Sequence, residues 1–273
     1  MNTAAGSSLP SVREFAAPAH WTQIDFVSDL HLAPDLPRTT ETWERYLLGT
    51  PADAVFILGD LFDTWVGDDA RHSGFEARCA AVLARASKRC RLAFMAGNRD
   101  FLVGTELLGE CSLHSLHDPT VLSAFGQRVL LSHGDALCLS DVAYQQYRAK
   151  VRTPQWQLSV LGLALEERRR LAAQMRHASE QRQLAGPLAP EATDIDRPAA
   201  LAWLQRAQAQ VLVHGHTHLP GSEPLAAGLV RHVLSDWDLD QAQGAPRAQV
   251  LRLSASGFER LSVALALQGA PSS

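Results

Sequence analysis

The sequence lacks the features of disulfide-stapled or strongly basic proteins. Its 273 residues include only four cysteines (Cys79, Cys90, Cys111 and Cys138), and none of them forms a C-x-x-C pair. Two disulfides are possible, but in a chain of this length free thiols in a reducing compartment are the expectation. The net charge is −4, so no overall basic field favours nucleic acid as a partner.

Long apolar segments are missing as well. The longest apolar run, Leu158–Leu165, is far too short to cross a bilayer. Residues 1–20 are rich in Ala, Ser and Pro and have no apolar core, which excludes a signal peptide and predicts a disordered N-terminal tail. Residues 266–273 are predicted to be a flexible C-terminal tail. The protein is therefore expected in the cytoplasm or on a membrane surface.

The remaining chain, residues 21–265, has the pattern of an α/β domain. The hydrophobic content of the full 273-residue chain, 46%, suffices for one large core, or for a core with a subdomain. Continuous apolar runs such as Ala54–Leu58 predict strands covered on both faces. Strands alternate with helices early in the chain and with other strands later, which predicts packed sheets with helices outside. The predicted strands are Thr22–Val27, Ala54–Leu58, Arg91–Met95, Thr120–Leu122, Arg128–Leu131, Gln210–Val213, Leu229–Leu234, Ala248–Leu253 and Phe258–Val263.

Five short stretches each follow a predicted strand and supply Asp, His or Asn directly after it. They are Ser28–His31, Leu58–Asp63, Ala96–Asp100, Ser132–Asp135 and Val213–His218. Polar residues at the carboxyl ends of strands mark the usual ligand crevice of α/β sheets. The sequence therefore predicts a site with two metal ions, held by Asp29, His31, Asp60, Asn98, His133, His216 and His218.

Carboxylate, imidazole and amide donors in one set favour a first-row divalent ion such as Mn²⁺, whereas structural zinc favours thiolates. A carboxylate shared by both ions explains a central place for Asp60, and two ions about 3.5–4 Å apart suit phosphoryl transfer. Each stretch taken singly has an alternative: a lone strand His is often a core residue, and an Asp after a strand often caps a helix. Five stretches with one pattern make that alternative hard to sustain.

Two neighbouring residues have roles of their own. Arg99 follows Asn98, and its guanidinium is predicted to stabilise charge on phosphate oxygens; the alternative is a surface ion pair with Asp100. His214 is set apart from the ligand pair on its strand, so we expect it to pack or to support the ligands from behind.

Residues 140–197, the helical insertion, have no strand pattern. From Tyr144 to Arg182 there are eight Arg and Lys against three Glu, and the apolar run 158–165 lies among them. A basic helical segment with an apolar middle suits an anionic amphiphile or an anionic membrane surface. The alternative, a subdomain whose leucines pack on the domain body, stays equally open at this point.

The order Asp-x-His, Gly-Asp, Gly-Asn-Arg, His-Gly and Gly-His-Thr-His resembles the calcineurin-like metallophosphoesterase superfamily. The resemblance implies a four-layer α/β/β/α sandwich with an inserted helical cap and a two-ion centre between the sheets. It implies that Asp29, His31, Asp60 and His218 hold one ion. It further implies that Asp60, Asn98, His133 and His216 hold the other, with Arg99 and His216 assisting Asn98 in catalysis.

Longer strings resemble the UDP-2,3-diacylglucosamine diphosphatase family more closely. They include Gly59-Asp60-Leu61-Phe62-Asp63-x-Trp65-x-Gly67-Asp68-Asp69 and Asp141-x-x-Tyr144-Gln145-x-x-Arg148-x-Lys150-Val151-Arg152, and the resemblance covers about residues 22–240. It implies Mn²⁺-dependent cleavage of the pyrophosphate of UDP-2,3-diacylglucosamine in lipid A biosynthesis, at the cytoplasmic face of the inner membrane. The insertion would then cover the acyl chains. Two alternatives are a metallophosphoesterase acting on a soluble nucleotide or phosphoprotein, and a catalytically inactive metal-binding scaffold.

The same resemblance implies which residues touch substrate. The set is Asn98, Arg99, Asp141, Tyr144, Ser179, Arg182, Gln183 and His216. The chain departs from the family pattern after Ser179, where Gln183 and Gly186 stand in place of Asn and Lys. Arg182 is the candidate to supply the missing charge.

Overall fold

The computed structural model of the protein describes residues 11–184, 194–241 and 245–268, and for residues 177–184 only the backbone. The strands of this part are β1 (Arg13–Ala16), β2 (Gln23–Val27), β3 (Ala54–Leu58), β4 (Arg91–Met95), β5 (His114–Leu116), β6 (Thr120–Ala124), β7 (Gln127–Leu131), β8 (Val211–His214), β9 (Gly221–Ala226), β10 (Leu229–Val233), β11 (Gln249–Ser254) and β12 (Gly257–Ser262). Its α-helices are α1 (Pro37–Gly49), α2 (Gly74–Ala86), α3 (Thr105–Glu110), α4 (Val142–Val151), α5 (Pro154–Leu161), α6 (Leu165–Leu184), α7 (Arg197–Ala207) and α8 (Val263–Ala266).

The strands form two six-stranded mixed sheets. Sheet 1 has the order β12-β11-β2-β3-β4-β5, and sheet 2 has the order β1-β6-β7-β8-β10-β9. In sheet 1, β2, β3, β4 and β5 are parallel, so their carboxyl ends meet at one edge. In sheet 2, β7, β8 and β10 are parallel, and their carboxyl ends also meet at one edge. Two rows of strand ends are thereby available to build one site.

The core lies in three layers between the sheets and the helices. Phe56 and Leu58 point from β3 into a cluster shared by both sheets, with residues such as Leu131 and Val213 opposite. Their neighbours on β3 point the other way, against α1, α2 and α3. A third cluster joins sheet 2 to Trp203 and the rest of α7. The predicted α/β sandwich, with two packed sheets between helices, is therefore confirmed.

The helical insertion begins with capped helices. Asp141 accepts a hydrogen bond from the backbone N–H of Tyr144 at the start of α4, and Thr153 caps α5 in the same way. Pro154 stands at the first position of α5, where a missing N–H costs nothing. α6 follows after a short turn, and residues 185–193 lie outside the described part. The cysteines are as expected: all four are free, and all are buried.

Both predicted tails include residues that belong to the folded domain. Residues 13–16 form β1, which pairs with β6 in parallel, because Phe15 packs edge-on against Phe56 at a centroid distance of 5.3 Å. At the other end, Ala266 is fully buried, and its carbonyl accepts a 2.8 Å hydrogen bond from Arg252. The disordered tail of residues 1–20 is thus wrong for residues 13–16, and residues 1–10 and 269–273 lie outside the described part.

Candidate metal centre

The predicted ligands lie at strand ends of both sheets. Sheet 1 supplies Asp29, His31, Asp60 and Asn98, and sheet 2 supplies His133, His216 and His218. Backbone hydrogen bonds continue past the strands and hold the loops together: Asp29 N–H donates to Gly59 O (3.1 Å), and His31 N–H donates to Asp60 O (3.0 Å). Across the two sheets, the backbone N–H of His216 donates to both carboxylate oxygens of Asp29.

The ligand atoms of these side chains converge. Within the described residues, one nitrogen or oxygen from each of Asp29, His31 and His218 lies within 4.8 Å of the other two. The same is true of Asp29, Asp60 and His133. Asp29 therefore belongs to both groups. A bridging role for Asp60 stays a prediction.

Asn98 joins His216 to this cluster. Its Oδ1 lies 2.9 Å from Nε2 of His133 and 2.8 Å from Nδ1 of His216. The other ring nitrogen of His133, Nδ1, lies 2.9 Å from the carbonyl of Leu58 and donates to it. This directs Nε2 of His133 toward the centre. All seven predicted ligands are thus brought together.

The donor set fits divalent cations. Nε2 of His31 and Nε2 of His218 face each other at 3.3 Å, next to the buried carboxylate of Asp29. Lone pairs that converge with carboxylate oxygens in this way suit a cation between them. Among the described residues no cysteine belongs to either group, so the set is unlike a structural zinc site.

Most of the ligands have a left-handed backbone conformation. In the described part of the chain, eight residues other than glycine have positive φ, and five of them are predicted ligands. These five are Asp29, His31, Asp60, His216 and His218, with φ between 47° and 67°. Such conformations cost energy for residues with a Cβ and cluster at functional sites. The backbone is strained where it aims these side chains.

Glycines leave room for the carboxylates. A Cβ at Gly97 would overlap the carboxylate and the backbone nitrogen of Asp60, and a Cβ at Gly215 would overlap the carboxylate of Asp29. Gly97 N–H also donates to Asp100. The two loops can approach the acidic side chains closely only because these positions lack a side chain.

The electrostatics of the centre are those of buried charges. Burial raises the pKa of Asp60 to about 7, and repulsion from Asp100 and Asp29 adds to it although His133 opposes it. Burial lowers the pKa of His133, but the neighbouring carboxylates outweigh it and raise that pKa to about 9. Burial lowers the pKa of His216 to about 4. A divalent ion would favour the ionised carboxylates and the neutral imidazoles.

The residues expected to contact substrate differ in where they lie relative to the centre. The backbone N–H of Arg99 donates to Asp60 Oδ1 (2.8 Å). The alternative prediction for Arg99 is a surface ion pair with Asp100. Asp100 is fully buried and accepts hydrogen bonds from the backbone amides of Gly97 and Leu61. The side chain of Asp141 caps α4. The side chains of Ser179, Arg182 and Gln183 lie outside the described residues.

Tyr144 connects the insertion to the centre. Its ring stacks on His216 with centroids 5.9 Å apart, and its hydroxyl donates to Asp135 at 2.7 Å. Asp135 also accepts a 2.7 Å hydrogen bond from Arg148 of the same helix. From the next turn, Arg152 donates to the carbonyl of Gly97 at 2.9 Å. α4 is therefore fixed directly against the loops that carry Asn98 and His133.

Three carboxylates at the site were not predicted. Asp100 and Asp135 stand inside the five stretches, but only their neighbours were chosen as ligands. Asp236 follows β10 and lies 3.9 Å from His218. The signal that could have found it is the one used elsewhere, an acidic residue just after an apolar strand. His214 is fully buried, and its Nδ1 lies 2.9 Å from the carbonyl of Gly215, which agrees with a supporting role.

Comparison with known proteins places this geometry in a family. A model of the calcineurin-like phosphoesterase family matches residues 22–220. Two relatives, from Shigella sonnei (strain Ss046) and Escherichia coli O139:H28 (strain E24377A / ETEC), are both named UDP-2,3-diacylglucosamine hydrolase. Each is 39% identical over 217 residues, which is 78% of this chain and 90% of the relative.

Solved structures overlap the chain more loosely. An archaeal phosphodiesterase covers 88% of this chain and 98% of its own length, at 12% identity and a TM-score of 0.42. That score is too low for residue correspondences. The family model and the sequence relatives suffice, and this chain belongs to the calcineurin-like phosphoesterase family of hydrolases.

Proposed function

We propose that the protein hydrolyses the pyrophosphate bond of UDP-2,3-diacylglucosamine, giving UMP and 2,3-diacylglucosamine 1-phosphate for lipid A biosynthesis. The observation that carries the proposal is the similarity to relatives named for that substrate, across 90% of their length. The family match spans residues 22–220 and so includes both the ligand set and the insertion. The proposed metal centre and the proposed cover for an acylated substrate therefore lie in one matched region.

The proposed cofactor is two Mn²⁺ ions per chain. Asp29, His31, Asp60 and His218 would hold one, and Asp60, Asn98, His133 and His216 the other. Bound ions of this kind lower the pKa of a water molecule and offset charge on phosphoryl oxygens. What supports this set is the convergence of its nitrogen and oxygen atoms and the left-handed backbone of five of its members.

The protein's own residues would position the substrate. Arg99 follows the ligand Asn98 and is only half-buried, so its guanidinium is available to a phosphate oxygen near the centre. His216 is held between Asn98 on one side and the ring of Tyr144 on the other, which fixes the direction of its imidazole. Asp141, Ser179, Arg182 and Gln183 are proposed to contact the acylated sugar from the insertion.

The test is product analysis in ¹⁸O-water with the diacylated UDP-sugar, with and without Mn²⁺. We expect UMP and the sugar 1-phosphate, with ¹⁸O in one of them and turnover only with the metal. A small soluble phosphodiester serves as the comparison substrate. Faster hydrolysis of that ester than of the acylated substrate would favour the alternative of a soluble substrate. Failure of the protein to bind Mn²⁺ in a titration would favour the inactive scaffold.

We also propose that the protein associates peripherally with the cytoplasmic side of the inner membrane. Three leucines of the insertion support this: Leu158 is 71% exposed, and Leu161 and Leu163 are each 41% exposed. Basic residues lie on the neighbouring α4 and α6, which suits anionic headgroups. None of the described helices is both long and apolar enough to span a membrane.

Vesicle sedimentation tests this association. Leu158→Ser should weaken binding to vesicles that contain phosphatidylglycerol. The matched control is Leu265→Ser, because Leu265 is 51% exposed but belongs to α8, outside the insertion. Equal binding by both variants and the parent would contradict an insertion-mediated contact.

A further inference from the structure

The connection between the two sheets passes close to the loop that carries His133. β5 belongs to sheet 1 and β6 to sheet 2, and residues 117–119 join them. Because β6 runs antiparallel to β7, the start of β6 lies beside the carboxyl end of β7. Asp118 is thereby brought next to Ser132, the residue that precedes His133 in the chain.

A serine hydroxyl connects Asp118 to the turn formed by residues 132–135, the His133 turn. Ser132 Oγ donates a 2.6 Å hydrogen bond to Asp118 Oδ1 and accepts one of 3.1 Å from the backbone N–H of Gly134. A hydroxyl has a single proton to donate, so the bond to Asp118 leaves the lone pairs of Ser132 for Gly134. The side chain of Asp118 is only 7% exposed, so water competes little for these groups.

The His133 turn sets the direction of two side chains at the centre. Gly134 has a φ of 113°, a conformation that favours glycine and reverses the chain within one residue. On one side of it, Nε2 of His133 lies 2.9 Å from Asn98 Oδ1. On the other side, Asp135 accepts the 2.7 Å hydrogen bond from the hydroxyl of Tyr144. A change in this turn would therefore displace a predicted metal ligand and the acceptor of Tyr144 together.

The helical insertion contacts the same carboxylate. Nη2 of Arg148 on α4 lies 3.7 Å from Asp118 Oδ2, and its Nε donates to Asp135 Oδ2 at 2.7 Å. Asp118 thus has one oxygen toward the His133 turn and the other toward the insertion. Contacts on both oxygens restrict the rotation of the carboxylate and keep Oδ1 directed at Ser132.

We propose that Asp118 is a positioning residue of the metal centre: through the hydroxyl of Ser132 it fixes the turn that aims His133 at the ions. Residues that orient metal ligands from behind change metal affinity substantially when they are altered. The inference rests on the proposed metal centre.

The experiment compares three variants of the full chain. Asp118→Leu removes the acceptor, Ser132→Ala removes the hydroxyl, and Asp118→Asn keeps an acceptor oxygen for Ser132. The matched control is Ser87→Ala, because the Ser87 hydroxyl also donates a hydrogen bond, to the carbonyl of Ala84 at the end of α2.

The first measurement is a calorimetric titration with Mn²⁺. We expect Asp118→Leu and Ser132→Ala to bind Mn²⁺ about 10- to 100-fold more weakly than the parent. Asp118→Asn should stay within about threefold of the parent because it preserves the hydrogen bond, and Ser87→Ala should match the parent. A carboxylate that serves only to neutralise Arg148 would lose as much in Asp118→Asn as in Asp118→Leu.

The second measurement needs no metal. Hydrogen exchange of the Gly134 amide, followed by NMR in the metal-free proteins, reports directly on its bond to Ser132. We expect exchange to be about 5- to 10-fold faster in Ser132→Ala and Asp118→Leu, and close to that of the parent in Asp118→Asn.

Parent-like Mn²⁺ affinity or parent-like Gly134 exchange in Ser132→Ala would overturn the role of Asp118, as would Asp118→Asn binding Mn²⁺ as weakly as Asp118→Leu. Ser132→Ala decides the matter even if Asp118→Leu fails to fold. A parent that binds no Mn²⁺ would instead overturn the metal centre, while Gly134 exchange would still test the turn, so the two failures are distinguishable.

Discussion

Five of the predicted ligands carry two costs in folding free energy. Each has an unfavourable backbone conformation, and each has a side chain placed among like-charged or desolvated groups. They are Asp29, His31, Asp60, His216 and His218. A left-handed residue costs about 1–3 kcal/mol unless the surroundings determine it. Here the surroundings do, because interloop hydrogen bonds such as that from His31 N–H to Asp60 O fix the chain on both sides. The interloop hydrogen bonds therefore hold these side chains in place, at a cost to the stability of the fold.

Asp60→Asn should separate function from folding. We expect kcat to fall by more than about 100-fold, because even residues behind metal ligands cost 10–100-fold when changed. Burial raises the pKa of Asp60 to about 7, so at pH 8 the folded protein holds a desolvated charge that Asn removes. The metal-free variant should accordingly unfold in urea at no lower concentration than the parent at pH 8. Near-normal turnover would contradict the ligand role of Asp60.

Gly97→Ala tests the close approach of the loops. The new methyl group would overlap Asp60, so we expect a loss of about 1–3 kcal/mol in the free energy of unfolding and a large loss of activity. Gly109→Ala is the matched control, since a Cβ there meets nothing within 4 Å and the residue lies in α3. That change should stabilise the protein by about 0.4–1 kcal/mol. Similar behaviour of the two variants in urea denaturation would show that Gly97 has no special constraint.

At the scale of elements, strand prediction succeeded where burial is two-sided. β3 and β4 begin and end at the predicted residues, because a continuous apolar run bounded by polar residues fits a strand that is covered on both faces. β1 was missed because only Phe15 of its four residues is a large apolar side chain, and its partner β6 lies more than 100 residues away in the chain. β9 was missed because it is an edge strand with mostly exposed residues and a proline.

The site was predictable in part for the same reason. A ligand that follows a buried strand is visible locally, and that pattern gave all seven residues that the structure brings together. The pairing of particular atoms is not local. Which nitrogen of His133 faces the centre depends on the carbonyl of Leu58, 75 residues earlier, and the attachment of α4 depends on Asp135 and Gly97. Such contacts follow from the packing of the two sheets and leave no periodic signal.

Among the described side chains of α6, Arg168 is a buried anchor of the insertion. Arg168 is 4% exposed and donates to the carbonyl of Val66 (2.6 Å) and to Asp69 (2.8 Å). Arg168→Met should loosen α6 and reduce kcat/KM for the acylated substrate about 10- to 100-fold, since small misplacements of positioning groups are costly. Hydrolysis of a small soluble phosphodiester should change far less.

Arg170→Met is the control for this anchor. Arg170 is exposed on the same helix, and its guanidinium donates to the backbone carbonyl of Glu166. We expect kinetics close to those of the parent. If Arg168→Met reduced both substrates equally, the effect would lie in the domain body, because loosening of the insertion alone would affect the acylated substrate most.

On the scale of the whole molecule, the ligands join two sheets. Because Asp29 and Asp60 come from sheet 1 and His133 and His218 from sheet 2, ions that bind them link the sheets in the folded state only. Mn²⁺ should therefore stabilise the protein by about 2.7 kcal/mol at a concentration of 100 times Kd. Thermal unfolding with Mn²⁺, and again after excess chelator, measures this. An unchanged midpoint would contradict a centre built across the sheets.

The order of sheet 1 also leaves one strand edge unpaired for much of synthesis. β2 lies between β3 and β11, and β11 is made more than 200 residues after β2. One edge of β2 therefore stays open until β11 has been made, although every predicted ligand precedes β11 in the chain. Nascent chains that end before residue 249 are therefore the form most exposed to edge-to-edge aggregation.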